Sequence, residues 1–197
     1  MKDTKNRILD AAEQAFAENG YAATSLRGVI STAGVNLASI HYHFGSKEEL
    51  LKAVILRRVE PLNHERLAML AEFERAAGGA PVPLEQVAEA FIAPTVRMVA
   101  QPGGRMFPKL LARLYTESEM LPGFLRAQFG DLFASFSAAL RRALPGLSEE
   151  ELGRRLLLAI GVMAQGVRGL GAGEDIGRSQ ARIIAFLCAG LRAGGPQ

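Results

Sequence analysis

The sequence predicts an all-α protein, and two patterns in its 197 residues support this class. Apolar residues recur at spacings of three and four along nearly the whole chain, which is the period of an amphipathic helix. Alternation of apolar and polar residues with a period of two, typical of a half-buried strand, is scarce. Hydrophobic residues make up 49% of the chain and charged residues 22%, as in ordinary folded proteins.

The first helices are predicted to form a small unit at the amino terminus. Residues 4–19 carry one apolar stripe, and Gly20 follows where a C-terminal cap requires a positive φ. Two short helices, residues 25–33 and 36–44, are separated by two residues, the first of which is Gly34. Short helices joined by so tight a turn are typical of a helix-turn-helix. The expected core residues are Phe16, Leu26, Val29, Val35, Ile40 and Leu50.

A capping box predicts where the next helix begins. The Ser46 hydroxyl can accept from the amide of Glu49, whose carboxylate can reach back. This helix is expected to end near Val59, because Pro61 breaks or kinks a helix. Residues 78–83, Gly-Gly-Ala-Pro-Val-Pro, form the clearest loop. The remaining helices are predicted at residues 62–77, 84–100, 108–118, 122–144, 148–170 and 179–193.

Composition and spacing exclude several classes of protein. No apolar run is long enough to span a bilayer and residues 1–10 are charged, so we expect a cytoplasmic protein. His41 and His43 lie two apart on a helix, whereas helical metal ligands lie three or four apart. We therefore expect no metal, no cofactor and no enzymatic activity. The net charge is only +3, so nucleic-acid binding must be argued from the placement of charges.

The second short helix presents a face that suits the major groove of DNA. Asn and Ser can hydrogen-bond base edges, Ala allows close approach, and apolar contacts recognise the thymine methyl. This face carries Asn36, Leu37, Ala38, Ser39, His41 and Tyr42. Side chains placed to bond phosphates are Thr24, Ser25, Tyr42, His43 and Lys47.

Residues 4–55 resemble the DNA-binding domain of the TetR family. The matching segments are Arg7-Ile8-Leu9, Ala11-Ala12, residues 16–21, Thr24-Ser25-Leu26, Ala33-Gly34-Val35 and residues 42–51. The resemblance implies a helix-turn-helix domain, placed here at residues 1–50, and a larger helical domain for ligand binding and dimerisation at residues 51–197. It also implies that residues 36–39 and His41 read bases, and that Arg27 can reach a base or a phosphate.

By the same resemblance, the last two long helices form a dimer interface. Their apolar residues supply more surface than one subunit readily buries. The alternative is that these faces close the core of the subunit itself. The expected interface residues are Leu156, Ile160, Met163, Val167, Ile183, Phe186 and Leu187.

Aromatic and apolar residues in the middle of the chain indicate a pocket for a small, mostly apolar effector. Pro94 inside a helix could open a kink that lines a cavity, although an aromatic stripe is also typical of packed core. The expected lining residues are Phe91, Arg97, Met98, Phe107, Leu111, Tyr115, Phe129 and Phe133. Residues 35–47 and 61–67 resemble the branch of the family linked to fatty-acid metabolism, which makes an acyl compound one candidate. A drug-like, aromatic or other hydrophobic effector fits nearly as well.

Together these features predict a ligand-responsive regulator of transcription. It is expected to be a repressor that binds a palindromic operator as a homodimer and is released by its effector. Two alternatives stay open. One is a helical small-molecule or lipid-binding protein whose helix-turn-helix is structural, and the other is a regulator that answers to a protein partner.

Overall fold

The computed structural model describes residues 4–101, 103–117, 124, 128–170 and 175–193. These described residues are predominantly helical and contain no strand, so the predicted all-α class is confirmed. Within them, no helix is both long enough and apolar enough to cross a membrane. The helices with described bounds are α1 (Thr4–Ala23), α2 (Leu26–Ala33), α3 (Leu37–Phe44), α4 (Lys47–Ala76), α5 (Leu84–Ala100), α6 (Met106–Glu117), α7 (Gly130–Ala143), α8 (Glu149–Arg168) and α9 (Ile176–Arg192).

Several predicted helix ends agree with the structure. Helix α5 has the predicted bounds, and α8 begins directly after Ser148, whose Oγ accepts from the Glu151 amide at 3.2 Å. Helix α9 begins three residues earlier than predicted, because the Asp175 side chain caps it by accepting from the Arg178 amide at 3.1 Å. The predicted start of α7 at Pro122 lies outside the described residues.

The chain divides into two compact units. The first comprises Met1–Pro61 and Gly103–Leu125, and the second comprises Leu62–Pro102 and Arg126–Gln197. This division differs from the predicted domains 1–50 and 51–197. The first unit is larger than predicted, because it includes α4 up to Pro61 and also α6, which packs against α1.

The predicted helix end near Val59 is wrong. Helix α4 runs without interruption from Lys47 to Ala76 and contains Pro61 as an internal residue. Proline cannot donate to the carbonyl four residues earlier, which costs about 3 kcal/mol in a helix interior. Val59 and Leu62 on either side are buried, each in its own unit. We infer that this apolar burial outweighs the lost hydrogen bond.

The first unit is built around apolar side chains from each of its helices. Its fully buried large residues are Ile8, Phe16, Val29, Ile40, Leu50, Leu51, Ile55, Leu110 and Leu114. Leu26 and Val35 of the predicted core are only half-buried. Gly20 has φ 82° and ψ 173°, a backbone conformation that is accessible essentially to glycine alone, and the helical geometry of α1 is interrupted there.

The second unit is organised around α5, whose residues 90–96 are all buried. Helix α5 packs against α7, α8 and α9, and its small residues Ala90 and Ala93 allow close packing. The predicted loop at residues 78–83 is confirmed. Gly78 and Gly79 have positive φ, and the Arg142 side chain donates to the carbonyls of Gly79 and Ala80 at 2.7 and 3.0 Å.

Candidate nucleic-acid interface

A glycine turn holds α2 and α3 in a helix-turn-helix. Gly34 adopts the left-handed conformation (φ 62°, ψ 44°), as predicted. Its amide donates to the Ser31 carbonyl at 3.3 Å, and the Val35 amide donates to the Ile30 carbonyl at 3.2 Å. These two bonds satisfy two of the free carbonyls at the end of α2. Arg7 of α1 adds a bond from Nη2 to the Gly34 carbonyl at 3.2 Å, a role not anticipated from the sequence.

Helix α3 is fixed at both ends. At its start, Asn36 Oδ1 accepts from the amide and the hydroxyl of Ser39, each at 2.9 Å. At its end, Gly45 has φ 74° and its amide donates to the His41 carbonyl at 3.1 Å. His41 Nδ1 lies 3.0 Å from the Gly45 carbonyl oxygen. The helix is therefore held in a defined position before any partner binds.

The inner and outer faces of α3 differ sharply. Ile40 and Phe44 point into the core, whereas Tyr42 is 86% exposed and Leu37 is 48% exposed. Asn36, Ala38 and His41 are also exposed, and Ser39 and His43 are partly exposed. The structure thus brings the predicted base-reading residues together on one outward-facing surface. We call this surface, residues 36–39 with His41 and Tyr42, the α3 face.

Two predicted phosphate-binding residues have other contacts. Thr24 is 4% exposed, and its Oγ1 donates to the Gly20 carbonyl at 2.6 Å and lies 3.1 Å from the Ala15 carbonyl oxygen. In this structure the Thr24 hydroxyl ties α1 to the start of α2 and is not presented to solvent, contrary to the predicted phosphate role. Ser25 is exposed and caps α2 through a bond from the Gly28 amide at 3.1 Å. Arg27 is exposed.

Lys47 is held in place by Tyr21 and Ala22, near the end of α1. Its Nζ donates to the Ala22 carbonyl at 3.2 Å and lies 4.6 Å from the centroid of the Tyr21 ring. Partial burial lowers the pKa of Lys47 below its usual value. Lys47 is only partly buried, and it is the first residue of α4, three residues after the end of α3.

The predicted capping box at the start of α4 forms only in part. Ser46 Oγ accepts from the Glu49 amide at 3.1 Å. The Glu49 carboxylate accepts from Lys52 Nζ at 2.8 Å instead of reaching back. Hydrogen bonds to Glu48 and Glu49 raise the pKa of Lys52 to about 12.

An ion cluster around the buried Glu13 carboxylate joins α1 to α4. The Glu13 carboxylate is almost fully buried and pairs with the Arg57 guanidinium and with Arg58 Nε, the latter at 3.0 Å. Arg57 also bonds Asp10 at 2.8 Å. The sequence signal for this cluster is the position of Glu13 inside the apolar stripe of α1, between Ala12 and Phe16.

The predicted effector residues are divided between the two compact units, and Phe91, Met98, Phe129 and Phe133 share the hydrophobic core of the second unit. Phe91 packs edge-on against Phe136 at 5.4 Å between ring centroids, and Phe129 lies 6.0 Å from Phe133. Arg97 is exposed and donates to Glu65 at 2.6 Å. Met98 is partly buried. The other predicted residues, Phe107, Leu111 and Tyr115, belong to the first unit, and the Tyr115 side chain lies outside the described residues.

The predicted dimer residues divide into three groups by their burial. Leu156, Val167, Ile183 and Leu187 are buried in the core of their own subunit, so the alternative interpretation holds for them. Ile160 and Met163 are partly buried. Phe186 is 67% exposed, and it is accompanied by Leu157 at 66% and by Leu158 at 70%. Leu158 was not expected at the interface, because the apolar residues of this helix cover a wide stripe. Such a stripe does not show which of its residues face the core and which face solvent.

Two family models match the chain. Residues 8–54 match the model described as "Bacterial regulatory proteins, tetR family", and residues 89–190 match the model described as "Tetracyclin repressor-like, C-terminal domain". The first match covers α2, α3 and the α3 face. The second covers just over half of the chain.

Individual relatives agree with these matches. The HTH-type transcriptional regulator UidR of Escherichia coli is 37% identical over 57 residues, which is 29% of each chain, so the similarity spans less than a third of that relative's length. SrpR of Pseudomonas putida, also an HTH-type transcriptional regulator, is 25% identical over 169 residues, 86% of this chain and 74% of SrpR.

A solved structure shows the same fold. The fatty acid degradation regulator FadR of Bacillus halodurans superposes with a TM-score of 0.73 at 16% identity, over 98% of both chains. This likeness establishes the fold and nothing finer. Since the larger family model matches more than half of the residues and the smaller one matches the helix-turn-helix, the chain belongs to the TetR family of bacterial regulatory proteins.

Proposed function

We propose that this chain is a repressor of transcription that binds a palindromic operator as a homodimer and is released by a small, mostly apolar effector. The observation that carries the proposal is the α3 face. It is a short helix, fixed at both ends, whose inner side is locked into the core and whose outer side carries exposed Leu37, Ala38, His41 and Tyr42.

The chemistry of the α3 face suits the edges of base pairs. An α-helix fits the major groove, where small residues allow close approach and an apolar side chain contacts the thymine methyl. Exposed Ser25 and Arg27 at the start of α2 offer hydrogen bonds for phosphate oxygens. The phosphate contacts are therefore assigned to Ser25, Arg27, Tyr42, His43 and Lys47, without the Thr24 hydroxyl.

Exposed apolar side chains on α8 and α9 support the homodimer. Leu157, Leu158 and Phe186 stand on two helices that pack against each other, and each is about two-thirds exposed. Burying one such side chain contributes about 1.5–3 kcal/mol. A two-fold partner would bury each of them twice, and two-fold symmetry matches a palindromic operator.

Release by the effector is proposed as a population shift. An effector that binds more tightly to a conformation with the wrong spacing of the two α3 faces lowers operator affinity by that difference in binding free energy. Helix α4 belongs to both compact units and is continuous through Pro61. This continuity makes α4 the natural element through which the two units influence each other.

Fluorescence anisotropy with the duplex upstream of the protein's own gene tests the proposal. We expect wild-type protein to bind at low salt, with affinity falling as salt rises. Tyr42→Ala should weaken binding about tenfold or more, because it removes both a hydroxyl and an aromatic contact. Glu72→Ala, an exposed change on the second half of α4, is the control and should bind as wild type.

Far-UV circular dichroism should be the same for both variants and the parent. Tyr42→Ala binding as tightly as the parent would contradict the assignment of the α3 face. Absence of binding to any duplex at low salt would favour the alternative in which the helix-turn-helix is structural.

A further inference from the structure

Arg66, on α4, lies in the interior of the second unit. It is 3% exposed, and its guanidinium carbon lies 4.6 Å from the centroid of the Phe91 ring. Nε donates to the Phe91 carbonyl at 2.9 Å, and Nη2 donates to Thr95 Oγ1 at 2.6 Å. The side chain therefore crosses from α4 to α5 inside an apolar core.

The remaining partners of Arg66 are also neutral. Nη1 donates to Asn63 Oδ1 at 3.2 Å, and Nη2 lies 3.4 Å from the sulfur of Met163 on α8. Across the described part of the chain, no carboxylate lies within ion-pair distance of this guanidinium. The adjacent Glu65 is bonded to Arg97.

The contrast with the second buried arginine of this unit is direct. Arg155 is 7% exposed, and its Nε bonds the Glu151 carboxylate at 2.7 Å. A buried cation is normally paired in this way, because neutral acceptors replace only part of its lost hydration. Arg66 has only neutral acceptors, although burial lowers its pKa only to about 10 and leaves it charged at neutral pH.

A structural role accounts for part of this arrangement. Pro94 has no amide hydrogen, so the Ala90 carbonyl four residues earlier lacks its helical donor. Arg66 Nε donates to the neighbouring Phe91 carbonyl and so ties α4 to this part of α5. A neutral donor could supply that single bond. This structural role does not explain why the donor is charged, or why Nη2 lies against Thr95 and Met163.

Met163 is the weakest partner and the most easily displaced. A thioether sulfur is a poor hydrogen-bond acceptor, and the Met side chain is flexible. Met163 is also partly exposed, so its movement would open Arg66 Nη2 to an incoming group. A carboxylate is a much stronger acceptor and can bond a guanidinium through two parallel hydrogen bonds.

We propose that Arg66 is the anion-binding residue of the effector site, where the carboxylate of an otherwise apolar organic acid displaces the Met163 sulfur and forms an ion pair. The inference rests on the proposed function, because it names the chemical class of its effector. Phe91, whose ring lies under the guanidinium, and the Met163 methyl group would contact the apolar part of the acid.

Isothermal titration calorimetry on the full chain tests this assignment. The probes are octanoate, decanoate and 4-phenylbutyrate, each compared with its primary amide. We expect at least one acid to bind wild-type protein about tenfold or more tightly than its amide, since only the acid offers a charged acceptor. Arg66→Gln should abolish this preference, whereas Arg75→Gln, the same change at an exposed arginine of the same helix, should retain it.

A second variant covers the case in which Arg66→Gln does not fold. Met163→Leu keeps the volume and the charge but removes the competing sulfur, so it should bind the acid at least as tightly as the parent and keep the acid preference. Equal binding of acid and amide by the wild type, binding of none of the acids, retention of the preference in Arg66→Gln, or its loss in Arg75→Gln would overturn the assignment.

Operator binding, measured on the same preparations without any acid, separates the two proposals. If wild-type protein binds no duplex but still selects acids through Arg66, the regulator proposal fails and the anion site stands. If it binds operator but shows no acid preference, the anion site fails and the regulator proposal stands.

Discussion

Ile183 of α9 fills the space beside Gly166 of α8: a Cβ built on Gly166 would lie 2.9 Å from both Cγ1 and Cδ1 of Ile183. Real Cβ atoms are essentially never this close to another heavy atom. Gly153 on the same helix has no such neighbour within 4 Å. The two helices therefore depend on the missing side chain at Gly166 for their close approach.

The first prediction is that Gly166→Ala destabilises the protein. Overpacking costs about 1–3 kcal/mol and the gain in helix propensity returns about 1 kcal/mol, so we expect a net loss of about 1 kcal/mol. Gly153→Ala is the matched control and should gain up to about 1 kcal/mol. Urea denaturation at equal protein concentrations measures both. A Gly166→Ala protein more stable than the parent would show that Ile183 can move aside.

The second prediction concerns the Thr24 hydroxyl. Thr24→Val should cost about 1–3 kcal/mol of stability, because the Gly20 carbonyl loses its donor in a buried place. Thr32→Val, the same change at an exposed position of α2, should stay within about 0.5 kcal/mol of the parent. Operator affinity of folded Thr24→Val should be unchanged. A variant of normal stability with reduced operator affinity would restore the phosphate role expected from the sequence.

The third prediction concerns the ion cluster between α1 and α4. Glu13→Gln leaves two guanidinium groups without their buried carboxylate, and Arg57 Nε already has no hydrogen-bond partner. Breaking a buried pair from one side costs about 3–5 kcal/mol. Asp10→Asn removes the half-exposed carboxylate of the same cluster and should cost at most about 1 kcal/mol. Thermal unfolding of both variants distinguishes the two roles, and equal losses would refute the argument from burial.

Much of the fold could be predicted, because its signals are local. Gly34 marks the turn, Ser148 marks the start of α8, and apolar spacing locates the helices. Pro61 predicts a helix end by its intrinsic propensity, but the burial of Val59 and Leu62 favours a continuous helix, and this burial is not visible in the sequence. Tertiary packing decided that case.

The candidate sites were less predictable, because they depend on which edge of an apolar stripe faces outward. The expected interface grouped Leu156 and Leu187 with Phe186, although Leu156 and Leu187 are buried in their own subunit and Phe186 is exposed. Arginine is usually exposed, so no pattern singled out Arg66. The burial of Arg66 results from the packing of α4 against α5 and α8, which no local pattern in the sequence predicts.

The last prediction is that Phe186→Glu disrupts the proposed homodimer. Each subunit would lose a buried ring worth about 1.5–3 kcal/mol and gain a carboxylate, so a symmetric dimer should weaken about 100-fold or more. Sedimentation equilibrium measures the dissociation constant.

Leu37→Glu is the matched control, since it places the same charge on an exposed apolar residue of the α3 face. It should abolish operator binding and leave dimerisation unchanged, whereas Phe186→Glu should weaken binding to the palindrome far more than binding to a half-site. A Phe186→Glu protein that dimerises like the parent would move the interface away from α8 and α9.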